Sequence, residues 1–201
     1  MKLKSVIILT LLFTSRMIGQ TSIANSDSDI VIDIDNDGIV DTTRLVESID
    51  SDDSSYKIVC TLSSWNNKKI SSGNITNGGL QNGTITAEKN IPILSIQLNR
   101  SHYTLKFRYD KKLKNIMLIG FDDEQYGGAT NDGSGKSSYN LSTGLYEASW
   151  YHFDEKQNKL IPFPKISKKL PLKNYLLQNF NDKTIEALEN INYKLFPQSL
   201  K

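Results

Sequence analysis

Apolar and polar side chains take turns through the middle of this chain. Tyr56, Ile58, Cys60 and Leu62 stand at alternate positions, and Leu94, Ile96 and Leu98 repeat the pattern. Tyr103, Leu105, Phe107 and Tyr109 do the same, with Thr104, Lys106 and Arg108 between them. A period of two is the mark of strands with one covered face. The run IMLIGF, residues 116–121, is apolar on both sides and predicts a central strand. The aromatic run LYEASWYHF, residues 145–153, also reads as a strand. Asp110 to Leu113 fits a tight turn, so a hairpin is expected over 103–121.

Two stretches break the alternation. SSGNITNGGLQNGTIT, residues 71–86, carries Asn-Gly pairs at 77 and 82 and predicts short strands linked by turns. DDEQYGGATNDGSGK, residues 122–136, is rich in glycine and poor in apolar groups, which predicts an exposed loop of the kind that carries function. Toward the end, Pro162, Pro164 and Pro171 punctuate a linker. The segments 172–180 and 182–196 then have helical spacing, with Ile185, Leu188 and Ile191 on one face, Leu195 near it, and Asn181 placed to cap the second helix. The expected fold is mainly β: a single antiparallel sheet or sandwich-like domain over 25–201, with a short helical C-terminal segment at 165–201.

The N-terminus changes the compartment. Lys2 and Lys4 precede a short apolar stretch, Ser5 to Phe13. A bilayer span needs about 20 apolar residues, so this is read as a secretory signal over 1–24, cut after Ala24 or, as a weaker choice, Gly19. Nothing later is long and apolar enough to span a membrane. The protein is therefore expected to be periplasmic or secreted. Without residues 1–24, which hold Lys2, Lys4 and Arg16 and no acid, 21 basic side chains face 22 acidic ones. No block of Lys and Arg amounts to a nucleic-acid footprint. The single cysteine, Cys60, lies in a strand-like run and is expected to be a buried thiol, so no internal disulfide supports the fold.

The charge is uneven. Residues 25–53 hold ten acids and one base, Arg44. Within them DIDNDGIVD, residues 33–41, sets Asp33, Asp35, Asp37 and Asp41 in the first, third, fifth and ninth places, Gly38 in the sixth and Ile39 in the seventh. Left bare, these carboxylates would repel one another. A calcium ion takes six to eight hard oxygens, which closely spaced carboxylates and a backbone carbonyl can supply, and glycine at the sixth place permits a sharp turn. The competing reading is an acidic Asp-Gly surface turn. The twelfth place, where an EF-hand carries a bidentate Glu, is Arg44, and the flanks IVIDI and IVDTTRLV are β-branched.

The segment resembles the EF-hand-like loops embedded in β-structure, as in the integrin-type FG-GAP repeat. That resemblance implies a calcium loop linking two strands, with Asp33, Asp35, Asp37 and Asp41 as side-chain ligands and Ile39 as the carbonyl ligand. It covers this loop and its flanks alone, and a propeller would need several copies.

Catalytic patterns are thin. His102 and His152 sit in no metal-binding spacing, and GSGK, residues 133–136, lacks the full phosphate-loop pattern. Asp122, Asp123 and Glu124 offer a second ion site or a carboxylate pair for hydrolysis, although neighbours in one loop do not by themselves make a two-sided site. Trp65, Trp150, Tyr146 and Tyr151 suit either a recognition patch or the sheet core. The expectation is a non-catalytic calcium-binding protein that binds or inhibits a protein partner, such as a toxin in the periplasm or an envelope protein, with Tyr126, Asn131, Asp132 and Trp150 as contact residues. The alternatives are a calcium-dependent hydrolase and a structural or adhesive envelope protein.

Overall fold

A computed structural model describes residues 23–24, 29–48, 55–76 and 83–197. Residues 1–22 of the segment read as a signal, the acids Asp50, Asp52 and Asp53 and positions 77–82 of the Asn-Gly stretch lie outside the described residues. The structure is mainly β, with antiparallel sheets, one C-terminal helix and no closed barrel among the described residues. No helix there is long and apolar enough to cross a membrane.

The alternating runs become strands that pair with their sequence neighbours. β1 (Ile23–Ala24), β6 (Gly83–Glu88), β7 (Ile91–Gln97), β8 (Ser101–Asp110), β9 (Asn115–Gln125), β10 (Gly135–Asn140), β11 (Leu145–Asp154) and β12 (Lys159–Pro162) lie side by side in that order. β13 (Ile166–Lys169) completes this nine-stranded sheet by pairing with the first half of β11, while β12 pairs with its second half. A four-stranded sheet holds β2 (Ile30–Ile32), β3 (Asp41–Ser48), β4 (Ser55–Leu62) and β5 (Lys68–Ser71) in sequence order. The two sheets meet where β2 and β3 approach β6. One continuous core runs through both, from Ile30, Ile58 and Leu62 to Leu105, Phe107 and Tyr146. Cys60 is buried in it, and burial pushes its thiol up to about 12, which disfavours the reactive thiolate. β1 pairs Ala24 with Ile85, so a cut after Ala24 would remove this strand, whereas a cut after Gly19 would leave it.

Two expectations need correction. The acids at 122–124 do not lie in an exposed loop. β9 runs on to Gln125 and β10 starts at Gly135, so the loop spans only 126–134 and the predicted hairpin is longer than 103–121. Acids are tolerated there because partners on neighbouring strands meet them. The second correction concerns 172–180, which is not helical. Leu176 bridges to Met117, the Leu118 N–H donates to the Tyr175 carbonyl at 2.9 Å, and only Leu177–Asn179 forms a single 3-10 turn. Pairing with β9 satisfies that backbone better than an isolated short helix would. The true helix is α1, Asp182–Leu195, which buries Thr184, Ile185, Leu188 and Asn192. Asn181 stands at its N-cap, and its backbone N–H donates to the Thr184 hydroxyl at 3.4 Å.

An irregularity in β9 decides which acids face the core. Phe107 pairs with Leu118 while Lys106 pairs with Gly120, so Ile119 is an extra residue. Ile116 and Leu118 face inward before it, and Phe121 and Asp123 face inward after it. Without that bulge Asp122 and Glu124 would enter the core instead.

Candidate metal centre

The segment 33–40 links β2 to β3 as a tight loop. Asn36 and Gly38 adopt positive φ angles of 60° and 89°, and these two left-handed residues curl the chain back on itself. No atom lies within 4 Å of a Cβ built on Gly38, so its φ rather than crowding calls for glycine.

Curling brings alternate acids to one place. The carboxylates of Asp33, Asp35 and Asp37 each present an oxygen within 4.8 Å of the others, a group that could hold a metal ion. Every one of their six oxygens accepts one hydrogen bond. Asp33 accepts from the Asp37 and Gly38 N–H groups at 3.1 and 2.9 Å. Asp35 accepts from the Asp37 N–H at 3.1 Å and from the Ser64 hydroxyl. Asp37 accepts from the Ile39 N–H at 2.7 Å and from the Ser63 hydroxyl at 3.1 Å. An ionised carboxylate oxygen has two lone pairs, so each keeps one for a cation. The loop is thus ordered by the same groups that would bind.

Asp41 stands outside this group. It is 1% exposed, and its two oxygens accept the Ile34 N–H at 2.9 Å and the Ser63 N–H at 2.8 Å. It clamps the start of the loop to the turn after β4. Ile39 is 59% exposed, with its N–H turned to Asp37.

Ser63 and Ser64 were not anticipated from the sequence. They sit in a 3-10 turn, Ser63–Trp65, between β4 and β5. β3 pairs with β4 so that Thr42 opposes Thr61, and this register sets that turn beside the acidic loop. Only the strand pairing could have revealed them.

The other expected site residues lie apart from the loop in sequence and in role. Tyr126 is 39% exposed, while Asn131 has φ 58° and is exposed on loop 126–134. Asp132 braces that loop by accepting the Phe153 N–H at 2.7 Å, and the Gly128 N–H donates to its carbonyl at 2.8 Å. Trp150 is 2% exposed with its ring edge-on to Phe196, so it is a core residue rather than a surface anchor. Gly135, from the glycine-rich stretch, is fixed by space: a Cβ there would meet the Ser149 carbonyl at 2.3 Å.

The acids of β9 do not converge. Asp122 and Glu124 face outward, and Asp123 faces inward. Asp122 pairs with Lys106 at 2.7 Å and accepts the Ser138 hydroxyl at 2.6 Å, and Glu124 pairs with Lys136 at 2.8 Å. These pairs lie in a groove of about 680 Å³ on the outer sheet face, walled on one side by Lys165 and Ser167. It offers donors and acceptors to a polar ligand, but Asp122 and Glu124 already have partners.

Comparison with known proteins adds no relative: no family model, no curated protein and no solved structure matches this chain.

Proposed function

We propose that this chain is an exported, non-catalytic calcium-binding protein that engages a protein partner. The observation that carries the calcium half is the trio Asp33, Asp35 and Asp37, each offering one oxygen within 4.8 Å of the others and each carboxylate oxygen left with a free lone pair. Oxygens on opposite sides of a calcium ion stand about 4.8 Å apart, twice a bond of roughly 2.4 Å. The three offered oxygens lie within that reach of one another. Backbone N–H donors fill the other side of the loop, which leaves little room for a substrate, so the ion is structural. It ties β2, β3 and the β4–β5 turn together.

Two observations support the partner half. The sequence pattern of Lys2, Lys4 and the apolar stretch Ser5 to Phe13 fits a secretory signal, and such a signal would carry the chain to a compartment where calcium is available and foreign toxins arrive. Loop 126–134 is exposed yet braced by Asp132, and a preordered loop loses little entropy on binding. A wall-degrading toxin is the partner class we take forward.

Calcium titration with melting curves tests the first half. At free calcium about 100 times the dissociation constant, stabilisation is roughly 2.7 kcal/mol, which for a domain of this size raises Tm by about 5 to 10 °C. A chelator reverses the rise, and Asp35→Asn removes most of it. A melting temperature indifferent to calcium and chelator would sink the reading. The partner half is checked by inhibition assays against exported wall-degrading enzymes, with Tyr126→Ala as the variant expected to weaken inhibition.

A further inference from the structure

The seam between α1 and the nine-stranded sheet changes character along its length. Its first half closes on Ile185 and Leu188, both 1% exposed. Its second half opens into a cavity of about 290 Å³. That volume is near the lower end for small-molecule sites. Four rings line it: Tyr103, Trp150, Tyr193 and Phe196. So do two carboxylates, Asp123 from β9 and Glu189 from α1. Among the described residues no Lys, Arg or His lines the cavity or forms an ion pair with either acid.

We infer that this cavity binds a small organic cation, a methylated ammonium group. Asp123 is 3% exposed and is held in place: Gln125 donates to both of its oxygens at 2.8 and 3.1 Å, and Asn192 donates at 2.6 Å. Asn192 is fixed in turn by the Ser137 hydroxyl at 2.9 Å. A buried carboxylate facing a second acid, with no cation to meet it, is a costly arrangement for packing alone. Burial, and to a lesser degree Glu189, raise its pKa. A bound cation removes that penalty. The rings add to the attraction, because an ammonium group over aromatic faces is drawn by their electron density. Methylated ammonium suits such walls best, since it needs few hydrogen bonds. The Tyr193 side, 79% exposed, gives access from solvent.

Choline is the probe, and neohexyl alcohol, in which carbon replaces the charged nitrogen, is the control of equal shape. Calorimetric titration of the full chain at constant calcium is expected to show saturable choline binding. The neutral alcohol is expected to bind roughly tenfold or more weakly. Glu189→Gln, a change at the half-buried rim that spares the core, is expected to erase that preference while the circular dichroism spectrum is unchanged. Agmatine, as a guanidinium, and a short Arg-bearing peptide separate a free cation from a basic side chain: binding by agmatine or choline without the peptide supports the small-molecule site. No saturable response to choline, equal binding of choline and the alcohol, or an unaltered preference in folded Glu189→Gln would each overturn the inference. So would binding of the peptide alone.

Discussion

Asp33, Asp35 and Asp37 on one side, and Asp122, Asp123 and Glu124 on the other, are two acidic runs of similar density with opposite outcomes. In the first, two residues with positive φ curl the backbone, and acids two apart in sequence meet within 4.8 Å. In the second, the backbone is extended, so neighbouring acids leave on opposite faces and each finds a separate environment. Asp122 and Glu124 meet lysines on adjacent strands, and Asp123 meets the amides of Gln125 and Asn192. Carboxylate spacing therefore means nothing until the local backbone is known. A glycine and an asparagine gather one run into a group that could hold a metal ion, and a strand makes three unrelated groups of the other.

The sharpest way to break this comparison lies inside the loop, at its fourth acid. Asp41→Ala leaves the buried Ile34 N–H and the half-buried Ser63 N–H without an acceptor. The expected loss is about 3 to 5 kcal/mol, the largest effect among these variants. It should appear equally with calcium and with chelator, because Asp41 stands outside the three-acid group. Asp37→Asn should do the reverse, lowering Tm in calcium and little in chelator. If the Asp41→Ala loss were to vanish in chelator, Asp41 would be a ligand, and the division between clamp and cradle would fall.

Much of this was legible beforehand. The period-two runs at 56–62, 94–97 and 103–109 lie in strands whose expected faces pack on the core, with Tyr56 and Tyr109 only partly buried, and Ile185 and Leu188 are on the buried face of the helix. The acidic loop was also legible, because glycine at its sixth place and β-branched flanks state both the turn and its setting. What stayed hidden depends on pairing. Ser63 and Ser64 reach the loop only through the β3–β4 register. The inward turn of Asp123 follows from the bulge at Ile119, which reverses the parity that Ile116 and Leu118 announce. Leu172 to Phe180 has helical spacing, yet that segment is held by β9. Local pattern cannot report a partner far away in sequence.

The interior acid gives a pH test of intermediate size. Burial holds the Asp123 carboxyl above its ordinary value of 3.8, against the opposing pull of its bonds to Gln125 and Asn192. The folded chain then binds this proton more tightly than the unfolded chain. The stability it contributes is complete below the ordinary carboxylate range and is lost as pH rises through the raised value. Asp123→Asn cannot ionise and so escapes that loss. The Tm of the variant minus that of the wild type should therefore grow more positive from pH 4 upward and level off once Asp123 has ionised. A difference that is flat with pH would mean that Asp123 ionises in the fold as easily as outside it, and the contrast between the two runs would lose its interior member.

The smallest effect belongs to the outward acids, and its smallness is the point. Lys136 and Glu124 face each other across β10 and β9 at 2.8 Å, with side chains 71% and 36% exposed. The hydrogen bond that Lys136 donates to Glu124 raises the lysine pKa, but water and salt screen such a pair, and two long side chains must be held still to form it. Lys136→Gln should leave Tm unchanged within error at physiological salt, while the loop variants move it by several degrees. A clear drop for Lys136→Gln that shrinks as salt is added would show the outer face to be an electrostatic network holding the sheet. In that case the groove of about 680 Å³ above it would be structural, and a polar ligand there would have to compete with the lysines that now occupy its acids.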